Sequence, residues 1–158
     1  MGLFIRTVFI FTLCVISFIT NAAELSVAQV ERFHDKLLQA SEKKDIKVIR
    51  NSIADSAQII LSVHKNGKVK KAVTWTKRRY LHELNNKWNM LQSSSSKVLQ
   101  RKVSLSENKY TAYIKFKTRV KEIIAASVVK GSTDEIIDVK LVNGQPMATK
   151  VVGNFYYD

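Results

Sequence analysis

The chain is poor in the residues that define most specialised classes. It has one cysteine, one proline and five glycines in 158 residues. A lone cysteine cannot form an internal disulfide, and a Cys/His zinc cluster needs more thiols than exist here. So little proline and glycine excludes collagen-like and linker sequences, and 46% apolar residues exclude a disordered chain. Acids are scarce as well. There are 13 Asp and Glu against 26 Lys and Arg, a formal charge of +13. Between Asp55 and Glu107 the only acid is Glu83. Catalytic signatures are missing too. No G-x-S-x-G elbow, P-loop or G-x-G-x-x-G turn occurs, which removes the usual serine-hydrolase and nucleotide-binding readings.

The one long uncharged run is Thr7 to Ile19, TVFIFTLCVISFI, behind a short start bearing Arg6. That length suits the apolar core of a secretory signal and falls short of a membrane span. Small residues close it at Thr20 to Ala23. Residues 1–23 therefore read as a signal peptide, cleaved after Ala22 or Ala23, with Ala22 preferred because Thr20 then stands three residues before the cut. The competing reading is an uncleaved anchor. Cleavage leaves residues 24–158 as a single thiol-free domain, exported to a periplasm or secreted.

Ser26 followed by Gln29 is a capping box. Val27, Val30, Phe33, Leu37 and Leu38 follow at helical spacing to about Ser41. Asp45 caps a shorter helix with Ile46, Ile49 and Ile53. Ala57 to Val63 and Val69 to Trp75 read as strands joined at Asn66-Gly67, a strong hairpin signal because both turn positions need positive φ. Thr76 caps a third helix with Tyr80, Leu81, Leu84, Trp88 and Leu91 on one face. Ser93 to Ser96 reads as a loop. Strands are expected at Lys97 to Leu105, Tyr110 to Val120, Val128 to Val142 with a bend near Gly131, and Met147 to Tyr157 after an Asn143-Gly144 turn. Lys121 to Ser127, KEIIAAS, is the weak point of this strand pattern and can also be read as a helical turn. The result is an α+β layout: a curved antiparallel sheet of about six strands on three helices from the N-terminal half.

That element order over residues 26 to 157 resembles the nuclear transport factor 2-like superfamily, the SnoaL-like or cystatin-like α+β cone. The passage Asp55-Ser-Ala-Gln-Ile-Ile-Leu, then Lys65-Asn-Gly-Lys, then Thr76 opening a helix with Tyr80-Leu81 carries the resemblance, as does the terminal hairpin at Asn143-Gly144. It implies a sheet wrapped around helix one, with a pocket at the wide mouth. The superfamily includes isomerase-like and dehydratase-like enzymes, but neither catalytic set can be placed on these residues. No catalytic residue is assigned.

Candidate sites follow from two features. His34 falls about 40° from Val30 on a helical projection, inside the apolar face of helix one. It is read either as a core-edge histidine bonded to a backbone group or as a pocket residue, together with Tyr80, Trp88 and Tyr110. His64 and His82 read as surface residues, and no histidine spacing forms a metal site; no metal or cofactor is expected. The second feature is a basic stretch, Lys65, Lys68, Lys70, Lys71, Lys77, Arg78 and Arg79, with no acid within it, joined by Lys115, Lys117 and Arg119 on a strand. It is either an ordinary solvated surface or a contact for an anionic lipid, lipopolysaccharide, cell-wall polymer or acidic protein. Export argues against nucleic acid. The first reading of function is therefore a non-catalytic exported module with a basic face. The alternative is a small-molecule pocket protein, isomerase- or lyase-like, taking a small hydrophobic ligand. A homodimer through the sheet and an accessory role in an envelope assembly complete the expectations.

Overall fold

The computed structural model describes residues 24–157; the expected signal peptide lies outside them. The capping box forms as read: the Gln29 amide donates to Ser26 Oγ at 3.2 Å, and the Ser26 amide donates to Gln29 Oε1 at 2.8 Å. This starts α1, Val27–Glu42. The Asp45 carboxylate accepts from the amides of Lys47 and Val48 and starts α2, Ile46–Ser52. Thr76 caps α3, Lys77–Met90. At its far end Lys44 Nζ donates to the carbonyls of Trp88 and Leu91, both at 3.1 Å, satisfying acceptors that a helix end leaves free.

The strands are β1 Ile53–Lys65, β2 Lys68–Thr76, β3 Leu91–Leu105, β4 Thr111–Ile124, β5 Ser127–Val142 and β6 Gln145–Tyr157. They form one curved sheet in the order β2-β1-β6-β5-β4-β3. Four neighbouring pairs are antiparallel as expected; β1 against β6 is parallel. That pair closes the first hairpin onto the last strand, a long-range join that no turn signal announces.

Two local expectations are corrected. Ser93 to Ser96 is not a loop: the serines lie within β3, opposite Ile123, Glu122, Lys121 and Val120. Lys121 to Ser127 is not a helical turn either. β4 runs on to Ile124, and Ala125 and Ala126 turn the chain with φ of 46° and 65°. Left-handed alanines cost about 1–2 kcal/mol each, yet an unbroken ladder from Thr111 to Ile124 against β5 outweighs that local preference. At Gly131 a Cβ would stand 2.1 Å from the Tyr156 carbonyl oxygen, so the close approach of β6 requires glycine there.

All three helices pack on the concave side of the sheet. Val30, Phe33 and Ile49 meet Ile59, Ile114, Ile137, Val139 and Ala148 in a continuous core. The alternation of β4 sets the two faces: Ala112, Ile114, Phe116 and Thr118 are buried, while Tyr113, Lys115 and Arg119 are exposed.

Candidate functional site

The core does not fill the cone. A cavity of about 230 Å³ opens between α1, α3 and the concave faces of β3 to β6. Leu37, Leu84, Phe116, Ile137, Val151 and Phe155 supply much of its apolar wall.

Its closed side carries His34. The imidazole is fully buried and packs against the Phe116 ring at a tilt of 57°, with ring centroids 4.4 Å apart. It does not bond a backbone group, as one of the two sequence readings expected. Its Nδ1 instead faces Arg101 Nη1 at 3.4 Å, and Arg101 is held in an ion pair with Asp35. A guanidinium only donates, so Nδ1 accepts and the ring proton sits on Nε2. Among the described residues that Nε2–H has no partner, and neither does the buried hydroxyl of Thr118, which also lines the cavity. Burial first, and the Arg101 charge second, lower the His34 pKa from 6.5 to about 4; Asp35 opposes them weakly. The ring is therefore neutral over the physiological range.

The concave face of the sheet carries the acids that sequence reading missed, with Glu135 directly opposite Phe116 on the neighbouring strand. Glu135 on β5 has its pKa raised by burial, against a hydrogen bond from Thr133 Oγ1 at 2.9 Å and the charge of Lys87. Lys87 on α3 pairs with Glu122 on β4 at 2.7 Å. Burial, reinforced by the Glu135 charge, pushes the Tyr80 phenol well above its ordinary range. Tyr157 is raised in the same way, with Glu122 as the second cause. The wall thus joins a carboxyl biased toward its neutral acid, a paired carboxylate and two phenols that stay protonated.

Several solved structures share this architecture. No protein-family model matches the sequence, and no curated protein matches it. A nuclear transport factor 2-like protein of unknown function from Pseudomonas putida KT2440 superposes with a TM-score of 0.65, covering 84% of this chain and 89% of that one at 13% identity. A second such protein, from Cytophaga hutchinsonii ATCC 33406, gives 0.63 over 85% and 100% at 13% identity. A ketosteroid isomerase-like protein from Erwinia carotovora atroseptica SCRI1043 gives 0.59 over 81% and 94%, again at 13% identity. The fold is the nuclear transport factor 2-like cone. At these identities the likeness is one of fold.

Within the cone, the sequence-read residues separate. His34 and Tyr80 line the cavity. Trp88 is buried in the core beside it, and Tyr110 lies 44% exposed in the turn before β4, so neither joins the wall. Helix three turns Leu84 and Lys87 inward with Tyr80, a set spaced at i, i+4 and i+7. Glu122 and Glu135 had a usable signal. Each continues the inward alternation of its strand, Phe116-Thr118-Val120-Glu122 and Thr133-Glu135-Ile137, and an acid on an apolar face marks a site. The helical-turn reading at Lys121 hid the first. Among the described residues no group of three His, Cys, Asp or Glu side chains gathers in a way that could hold a metal. His64 lies on the sheet surface against Tyr156, and His82 bonds Asn86 on the outside of α3.

The basic stretch is not one face. Lys65 and Lys68 flank the tip of the first hairpin, and Lys70 and Lys71 follow on the edge strand β2. Lys77 is engaged by Asp55 at 2.7 Å, and its hydrogen bond and charge hold that carboxyl below its ordinary value. Arg79 pairs with Glu83 at 2.5 Å, while Arg78 borders a shallow groove with His82.

Proposed function

We propose that the cone cavity is a binding site for a small molecule with an apolar body and at least two hydrogen-bonding groups. One observation carries this reading: two buried polar groups, His34 Nε2–H and the Thr118 hydroxyl, lack partners among the described residues and line one cavity. Buried donors and acceptors are nearly always satisfied, so these two fit a ligand carrying an acceptor such as a carbonyl. Glu135 and Tyr80, which also line the cavity, offer a second polar contact, and the apolar wall takes the body.

A second reading, isomerase- or lyase-like chemistry, is favoured by the contrast between Glu135 and Glu122. A carboxyl biased toward its neutral form can donate to a developing oxyanion, and the Lys87-paired carboxylate of Glu122, further along the same sheet face, can accept a proton. An anionic envelope partner for the outer surface, and export after loss of residues 1–23, are separate proposals that do not depend on the cavity.

Thermal-shift screening against cyclic ketones, alcohols and hydrophobic acids tests the cavity. Ligands that stabilise the parent should lose their effect in Leu84→Trp, which fills the space, and weaken in Thr118→Val. Equal stabilisation of parent and Leu84→Trp would place binding elsewhere.

A further inference from the structure

The outer face of the sheet carries a cationic strip whose full extent only the strand register reveals. On β4 the residues Lys115, Lys117, Arg119 and Lys121 all project to the convex side, opposite to the buried Phe116 and Thr118. Successive members stand about 7 Å apart, so the row extends about 20 Å. β3 doubles it. Lys102 lies opposite Lys115, and Lys97 lies opposite Arg119.

That match depends on an irregularity. Lys97 and Lys102 are five residues apart, a separation that puts two side chains on opposite faces of a regular strand. The register shift between Val98 and Gln100 inserts one extra residue and returns both to the convex face. Lys121 in turn faces Lys130 on β5. Like charges set directly opposite on a sheet destabilise it. The strip repeats that arrangement at Lys102–Lys115, Lys97–Arg119 and Lys121–Lys130. Only Lys117 has an acid partner among the described residues, Asp134 at a loose 3.8 Å. Each of Lys97, Lys102, Lys115, Arg119 and Lys121 is exposed, and the helices pack on the other side of the sheet.

We propose that this strip binds a linear phosphodiester polymer laid along β3 and β4. A narrow row of cations in steps of about 7 Å along one strand direction matches charges strung on an extended chain. A flat bilayer meets a convex sheet over only part of such a row. Bound phosphates would relieve the opposed like charges and release counterions. The strip lies on the far side of the sheet from the cavity and is independent of it.

The test measures anisotropy of labelled poly(glycerol phosphate) with the purified protein, and sedimentation of phosphatidylglycerol vesicles carrying the same headgroup chemistry. The polymer should bind, with affinity falling steeply with salt, to a slope of about −3 if four phosphates are engaged. Lys115→Glu with Arg119→Glu should weaken it by at least about tenfold, equivalent to about 1.4 kcal/mol. The neutral pair Lys115→Gln with Arg119→Gln should give a smaller loss of binding, and neither pair should lower the melting temperature, since both relieve the opposed like charges. Lys70→Glu with Lys71→Glu on β2 should bind like the parent. Vesicle binding without polymer binding would make the occupant a membrane and overturn the proposal. Loss confined to the β2 variant, or full binding by Lys115→Glu with Arg119→Glu, would also overturn it.

Discussion

Lys87 Nζ lies 2.7 Å from Glu122 Oε1, joining α3 to β4 across the wall of the cone. The Glu122 side chain is 9% exposed and that of Lys87 38%. The carboxylate is thus nearly dry, and the ammonium is its main compensation.

Removing one partner should therefore cost more than removing both. Lys87→Met strands a buried carboxylate and should destabilise by about 1–3 kcal/mol, less than a fully buried pair because Lys87 reaches water. Lys87→Met with Glu122→Leu should recover much of that loss. Urea midpoints of the single and double variants measure it. A double variant as unstable as the sum of both singles would mean that the pair is not a coupled unit.

His34 predicts an acid limb in the stability curve. In the fold it takes up a proton only near pH 4, whereas the unfolded chain takes it up near 6.5. Between those values the unfolded state binds more protons, so stability should fall as pH drops from about 6.5 to 4, by about 3 kcal/mol in all. His34→Leu should flatten this limb, whatever its effect at neutral pH. Denaturant titrations across the window decide it, and an unchanged slope in the variant would assign the acid limb to other groups.

Glu135 predicts the opposite slope. Its raised pKa means that the fold keeps a proton that the unfolded chain has released. Stability should then decline as pH climbs above about 4.5 towards the raised value. Glu135→Gln keeps the shape without the ionisation, so its stability relative to the parent should improve as pH rises above about 4.5. A parallel pair of curves would show that the carboxyl is not held back from ionising.

Gly131→Ala should lower stability by at least about 1–3 kcal/mol, since the added methyl meets the Tyr156 carbonyl, backbone that cannot swing aside. A shift in melting temperature reads this directly, and the cavity should distort with it because Gly131 and Tyr157 both line the wall.

The mature N-terminus should begin at Ala23 or Glu24, given the uncharged run Thr7 to Ile19. N-terminal sequencing of protein recovered from the native host checks this. An intact Met1 in the membrane fraction would make the segment an anchor.

Much of the fold was already legible in local chemistry. Ser26 with Gln29, Asp45 and Thr76 start their helices through side chains that reach amides two or three residues away. Asn66-Gly67 and Asn143-Gly144 turn the chain because their backbones accept positive φ, at 53° and 71° and at 51° and 75°. The alternation from Ala112 to Thr118 separated the inner face from the outer one without any partner strand in view. Those are determinations within a few residues, where propensity and periodicity act.

What depended on partners far along the chain could be decided only in three dimensions. Ser94 and Ser96 entered the cavity wall, and not a loop, because β4 offered them a ladder that serine propensity does not foretell. The parallel join of β1 to β6 brings Ile59 beside Val151, with most of the chain between them. The Lys87–Glu122 pair spans 35 residues, and the extra residue, Leu99, sets which lysines of β3 share a face with β4. The sequence by itself thus determined the elements and the faces of most strands. Register, and with it the polar wall of the cavity and the cationic strip outside, came from tertiary pairing, because hydrogen-bond ladders match whole strands and leave no period in either one alone.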